Sequence, residues 1–145
     1  MKKKKPKLDP RVIELGKDKP HPGPESKLQE STALFLAYQQ KVRALHVPNE
    51  RGFSRQGFPS HIKKLISQRI ARRVSQLKKE GYVPGASDWV FMYPQMAIEL
   101  KVKNGELSAD QILFLNSMVE VGIPAYVIWN FDEFERVIND HLRKI

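Results

Sequence analysis

Asp88 opens an apolar, strand-forming run from Asp88 to Tyr93, and Glu99 and Lys101 lie two apart on the next, Met96 to Lys103. Residues two apart on a strand project to the same side, as do partners across a hairpin. A two-residue turn at Pro94-Gln95 would set Val90 opposite Glu99 and Asp88 opposite Lys101. Asp88, Val90, Glu99 and Lys101 then share one face, and Trp89, Phe91, Ile98 and Leu100 the other; an odd-length loop or a bulge would flip that parity. Two carboxylates and an ammonium on one face suit metal-assisted phosphodiester hydrolysis. Hard oxygen ligands hold Mg²⁺, the ion activates water and polarises the phosphate, and the lysine orients water or neutralises developing charge. A cross-strand salt bridge on a solvated face is the plainer account of an acid–X–Lys pattern. Against it, both faces of these strands are apolar, and charges on a doubly covered sheet are rare unless paired or ligating metal.

The elements that must position these groups follow from periodicity and punctuation. Leu28, Phe35, Tyr38, Val42 and Leu45 recur at helical spacing and predict a helix over 25–45, after Pro22-Gly23-Pro24. His46 to Asn49 reads as a short strand, and 50–59, with two glycines and a proline, as a loop. Ser60 suits the N-cap of a second helix running to Glu80, with Ile62, Leu65, Ile66, Ile70, Val74 and Leu77 as its apolar stripe and Gly81 to end it. Asn104-Gly105 is a turn signal. Ser108-x-x-Gln111 has the capping-box pattern ahead of a helix with Ile112, Leu115, Met118 and Val119 inward. Pro124 to Trp129 reads as a buried strand. Asp132-x-x-Glu135 marks a last helix with Phe134, Val137, Ile138 and Leu142 inward. The strand–helix–strand unit from Met96 to Trp129 calls for parallel strands. The expected fold class is α/β, a mixed sheet flanked by helices on both faces.

The chain has 145 residues, enough for one core and one domain. It contains no cysteine, which excludes disulfides and thiolate metal sites and fits an intracellular, cytoplasmic protein. No apolar run approaches the ~20 residues of a membrane span, so no membrane partner is expected. The net charge of +9 favours a polyanionic partner. Residues 1–24 hold eight Lys/Arg against three acids, with five prolines, and read as a basic tail that buries little apolar surface, leaving 25–145 as the folded domain. Residues 60–80 hold seven Lys/Arg against one acid. Lys63, Lys64, Arg69, Arg72 and Arg73 on that helix, with Arg55 in the loop before it, are the candidate DNA-phosphate contacts; they would position substrate rather than read bases. His21, His46, His61 and His141 lack ligand spacing.

Six segments, taken in order, resemble the virus-type replication-repair nuclease (VRR-NUC) domain of the PD-(D/E)xK nuclease superfamily. They are Glu25 to Gln29, Val47 to Glu50, Gly81 with Pro84 to Asp88, Ile98 to Lys101, Gly105 to Gln111, and Gly122 with Tyr126 to Trp129. The likeness covers residues 25–143. It departs at Ser87, where the family has proline before its metal-binding Asp. The resemblance implies a restriction-endonuclease-like core and a Mg²⁺- or Mn²⁺-dependent endonuclease. Small stand-alone domains of this kind are similar to phage-encoded proteins that dimerise and cut branched DNA, four-way junctions included. By the same resemblance Asp88 and Glu99 bind metal, the Leu100 carbonyl assists, Lys101 is catalytic, Glu25 is an additional acid and Gln111 sits near the site. Glu25 has a second account at a helix N-terminus, and Gln111 one in the capping box. The rival function is a non-catalytic nucleic-acid-binding module on the same fold.

Overall fold

The computed structural model describes residues 4–47, 59–62, 64–65, 68, 72 and 85–145. The chain divides into two units, Met1–Val47 with Gly85–Ile145, and Pro48–Pro84. The first unit runs β1 (Ile13–Leu15), α1 (Glu25–Ala37), β2 (Arg43–His46), β3 (Trp89–Tyr93), β4 (Gln95–Leu100), α2 (Ala109–Glu120), β5 (Ala125–Ile128) and α3 (Phe131–Arg143). Its strands form one mixed sheet in the order β1-β5-β4-β3-β2. β1 and β4 each pair parallel to β5, and β3 pairs antiparallel to both β4 and β2. The architecture is a mixed sheet flanked by helices, as in restriction-endonuclease-like α/β folds generally.

Alternation along the strands feeds two cores. Trp89, Phe91, Met96, Ile98, Leu100 and Ile128 face Leu28 of α1 and Phe134, Val137 and Ile138 of α3. On the opposite face, Ala125, Val127 and Trp129 meet Leu115 and Val119 of α2. Helical spacing thus places the inward residues of α2 and α3 where the sequence predicts them. Ser108 and Gln111 form the predicted capping box. The cap of α3 is Asn130, not Asp132: its Oδ1 accepts from the Glu133 N–H at 2.8 Å, and the helix starts at Phe131. Asn130 shares the Asx chemistry of Asp132 and comes first as the chain leaves β5.

The β3–β4 register differs from the expected one. The turn residues are Tyr93-Pro94, joined by a cis peptide, with Met92 opposite Gln95. Val90 therefore faces Ala97 rather than Glu99, a shift of two residues. A shift of two preserves parity, so the face assignment survives, and Asp88 comes level with Glu99 instead of Lys101.

α1 stops at Ala37, eight residues short of the expected Leu45. The Tyr38 and Gln39 N–H groups turn back to the Phe35 and Leu36 carbonyls. Arg43–His46 then joins the sheet against β3, a tertiary gain that overrides the apolar period. Val42 enters the core while Tyr38 and Leu45 are exposed. In the second unit, residues 60–62, 64, 65, 68 and 72 are helical, as expected, but Leu65 of the predicted apolar stripe is exposed.

The low burial expected of residues 1–24 also fails. β1 lies within them, and Val12 is 6% exposed in the core under α2, with Leu8 packed against the same cluster. Arg11 is tied to Asp9 and Glu120, and the Asp9 N–H donates to Asn116 Oδ1 at 2.7 Å. A three-residue strand among prolines and lysines is too short for alternation to reveal it. Deleting residues 1–16 is therefore expected to lower the unfolding free energy by at least about 2 kcal/mol, the burial of Val12 alone. Urea unfolding followed by circular dichroism measures this, and a midpoint unchanged from the full chain would make the segment a dispensable tail.

Candidate metal centre

Asp88 is placed by a ladder that runs out of backbone. In the β3–β4 register the Leu100 N–H points toward β3, but β3 begins only at Trp89. The Asp88 carboxylate takes that N–H instead, accepting at Oδ2 over 2.7 Å. Its other oxygen accepts from Gln29 Nε2 of α1 at 3.2 Å. Gly85 sets the approach: its φ is +73°, and a Cβ there would lie 2.2 Å from the Asp110 carbonyl carbon. That contact holds the Asp88 segment against the first turn of α2, which carries Gln111. Gly85→Ala is expected to cost about 1–3 kcal/mol from the backbone conformation alone, with further loss from the clash, read as a lower urea midpoint.

Glu99 stands level with Asp88 on the same face. Glu25, from the first turn of α1, completes a triad whose ligand oxygens lie within 4.8 Å of one another. Lys101 Nζ is 3.7 Å from Glu99 Oε1 and donates to Gln111 Oε1 at 3.1 Å. Gln111 Nε2 donates to Glu99 Oε1 at 2.8 Å, and the Ser108 N–H donates to Gln111 Oε1. Gln111 thus caps α2 and orients both charged groups with one side chain, so its two accounts hold together. Asp88, Glu99 and Lys101 are each no more than 3% exposed.

Burial this deep penalises charge. Desolvation, then the nearby Asp88 charge, pushes the Glu99 carboxyl up to about 9 against the opposing pull of Lys101. Desolvation also raises Asp88, opposed by the Leu100 N–H and by a hydrogen bond from Glu99. Both shifts run the same way, so burial favours a proton retained by the pair at neutral pH.

Three clustered carboxylates form a hard-oxygen donor set that fits Mg²⁺ or Mn²⁺. The Leu100 carbonyl points to the same strand edge as its N–H, toward Asp88. Two further groups stand beside the triad. Gln29 lies four residues after Glu25 on one helix face, a spacing the sequence does show, and His46 Nε2 sits 2.7 Å from Gln29 Nε2 with its ring tilted over Trp89. Of the phosphate-contact candidates, Lys64 and Arg72 are exposed helical residues; Arg55, Lys63, Arg69 and Arg73 lie outside the described residues.

The raised Glu99 pKa fixes the sign of the pH dependence. Between about 4.5 and 9 the folded protein holds a proton that the unfolded chain has released, so metal-free stability falls as pH rises through that window. Metal must displace the proton, so its binding weakens as pH falls. Glu99→Gln should raise the melting temperature of metal-free protein at pH 8 and weaken Mn²⁺ binding by more than about 100-fold, beyond the loss typical of an outer-sphere partner. Calorimetry in two buffers of different ionisation enthalpy checks the proton release. Equal Mn²⁺ affinity in the variant would remove Glu99 from the ligand set.

The chain matches no family model, no curated protein and no solved structure. What the geometry itself supplies is a small α/β domain whose acidic triad can chelate a metal ion and is compatible with PD-(D/E)xK-like folds in general.

Proposed function

We propose that this protein is a metal-dependent, structure-selective DNA endonuclease of the VRR-NUC kind, acting on branched DNA such as four-way junctions. The observation that carries this is the meeting of half-buried Glu25 with Asp88 and Glu99 beside Lys101, the last three being the charged residues buried among the described residues. A salt bridge needs one acid per lysine. Three acids about one lysine leave an anionic excess that a divalent cation satisfies.

When bound, Mg²⁺ or Mn²⁺ supplies Lewis acidity toward the scissile phosphate and lowers the pKa of a coordinated water. The remaining work falls to the protein. The Leu100 N–H and Gln29 fix the Asp88 carboxylate, and Gln111 fixes Glu99, so the donor set is organised before substrate arrives. Lys101, held by Gln111, offers its ammonium to the charge that accumulates on the phosphate or orients the attacking water. The formal charge of +9 draws DNA, with Lys64 and Arg72 among the phosphate contacts. Symmetric cutting of a two-fold junction favours a homodimer.

The test is an endpoint cleavage assay with Mg²⁺ or Mn²⁺ on four-way, flap, splayed and linear DNA. Branched substrates should be cut only with metal, and Asp88→Asn and Lys101→Ala should each reduce cutting by at least about 100-fold while remaining folded. Tight, salt-dependent junction binding by a wild type that never cuts would make this a binding module.

A further inference from the structure

β4 and β5 are parallel and end level, the Lys101 N–H donating to the Ile128 carbonyl at 3.0 Å. Ligands of open α/β sheets sit outside such carboxyl ends. Here Lys101 leads into the Val102–Gly105 turn and Ile128 into Trp129, and between them opens a cleft of about 420 Å³ lined also by Lys17 and Lys103. That volume lies toward the small end of the roughly 300–1,000 Å³ of pockets that take small ligands.

The cleft adjoins the metal centre. A Cβ on Gly105 would come within 3.3 Å of Lys101 Cδ, so the cleft wall and the stem of the catalytic lysine touch. Its cations come from segments far apart in the chain. The Lys17 ammonium lies 5.4 Å from the Trp129 ring centroid, held over the indole, and Lys103 enters from the turn. Glu106 is the one acid in the lining, so the two lysines leave it net positive. A small cationic cleft against the lysine of a phosphodiesterase centre suits an anion on the same strand as the scissile phosphate.

We infer that the Lys17–Lys103–Trp129 cleft binds the backbone phosphate next to the scissile one; this rests on the nuclease reading of the triad. The chemistry is that of a phosphodiester oxygen taking charge-assisted hydrogen bonds from two ammonium groups, without base readout.

The probe is 5′-phosphorylated dithymidine, titrated into the isotope-labelled full chain in EDTA and followed by NMR. Shifts should centre on the Lys103 and Gly105 amides and the Trp129 indole. Lys17→Ala with Lys103→Ala should weaken binding about tenfold and flatten its salt dependence by one to two phosphate contacts, and the paired Arg substitutions should restore both. In the cleavage assay the Ala pair should raise KM far more than it lowers kcat. Shifts confined to other surfaces, or unchanged affinity in the Ala pair, would overturn the assignment while leaving metal-dependent cutting intact. A wild type that binds the dinucleotide in this cleft yet never cuts DNA would sink the nuclease reading, and with it the pairing of this phosphate with a scissile one.

Discussion

The hydrogen bond from the Leu100 N–H to Asp88 Oδ2 is the constraint around which the site is arranged. A strand edge normally spends its N–H groups on a neighbouring strand, and a buried one left over is expensive. Here the neighbour gives out two residues early, β3 beginning at Trp89 where the register sets Ser87 opposite Leu100, and a carboxylate closes the ladder in its place. The bond ties the acid to the backbone of the strand that carries Glu99 and Lys101. Strand pairing, not loop conformation, therefore sets the distance between the acids.

Such a centre works against the fold that holds it. Two carboxylates at nine-tenths burial or more repel each other, and desolvation penalises each. The protein offsets this with the Gln111 amide, the Lys101 ammonium and a proton retained by the carboxyl pair. None of these fully neutralises the cluster, which is what separates it from a structural salt bridge. The proton is also the group most readily exchanged for a cation. The electrostatic tension in the metal-free fold is thus the same quantity that would give a metal-binding triad its affinity.

How much of this the sequence shows depends on the range over which each signal acts. The face shared by Asp88, Glu99 and Lys101 was legible because parity survives a two-residue error in register. The opposition of Asp88 to Glu99 was not, because it depends on which residues the turn uses. Gln111 was legible twice over, as a cap and as a site neighbour, and the structure gives it both roles. β1 and the early end of α1 were hidden for one reason: each follows from pairing with a strand distant in the chain. Local periodicity carries no record of such partners. The Lys17–Lys103 cleft is likewise a product of tertiary placement, whereas Gln29 stands at a helical spacing from Glu25 that the sequence does show.

The charge distribution gives a last constraint on how the parts act together. A chain of net charge +9 attracts a polyanion at long range, yet at its centre three acids would repel a phosphate at contact. The two tendencies are reconciled only if a cation occupies the triad as the phosphate arrives. Metal and substrate should therefore bind with positive coupling, each relieving the repulsion the other meets. On the nuclease reading, the lysines outside the triad would act over a Debye length to bring the strand in, while the triad would admit the phosphate only once its own charge is balanced. Attraction of the polyanion and chemistry at the centre would then fall to separate sets of residues of opposite sign.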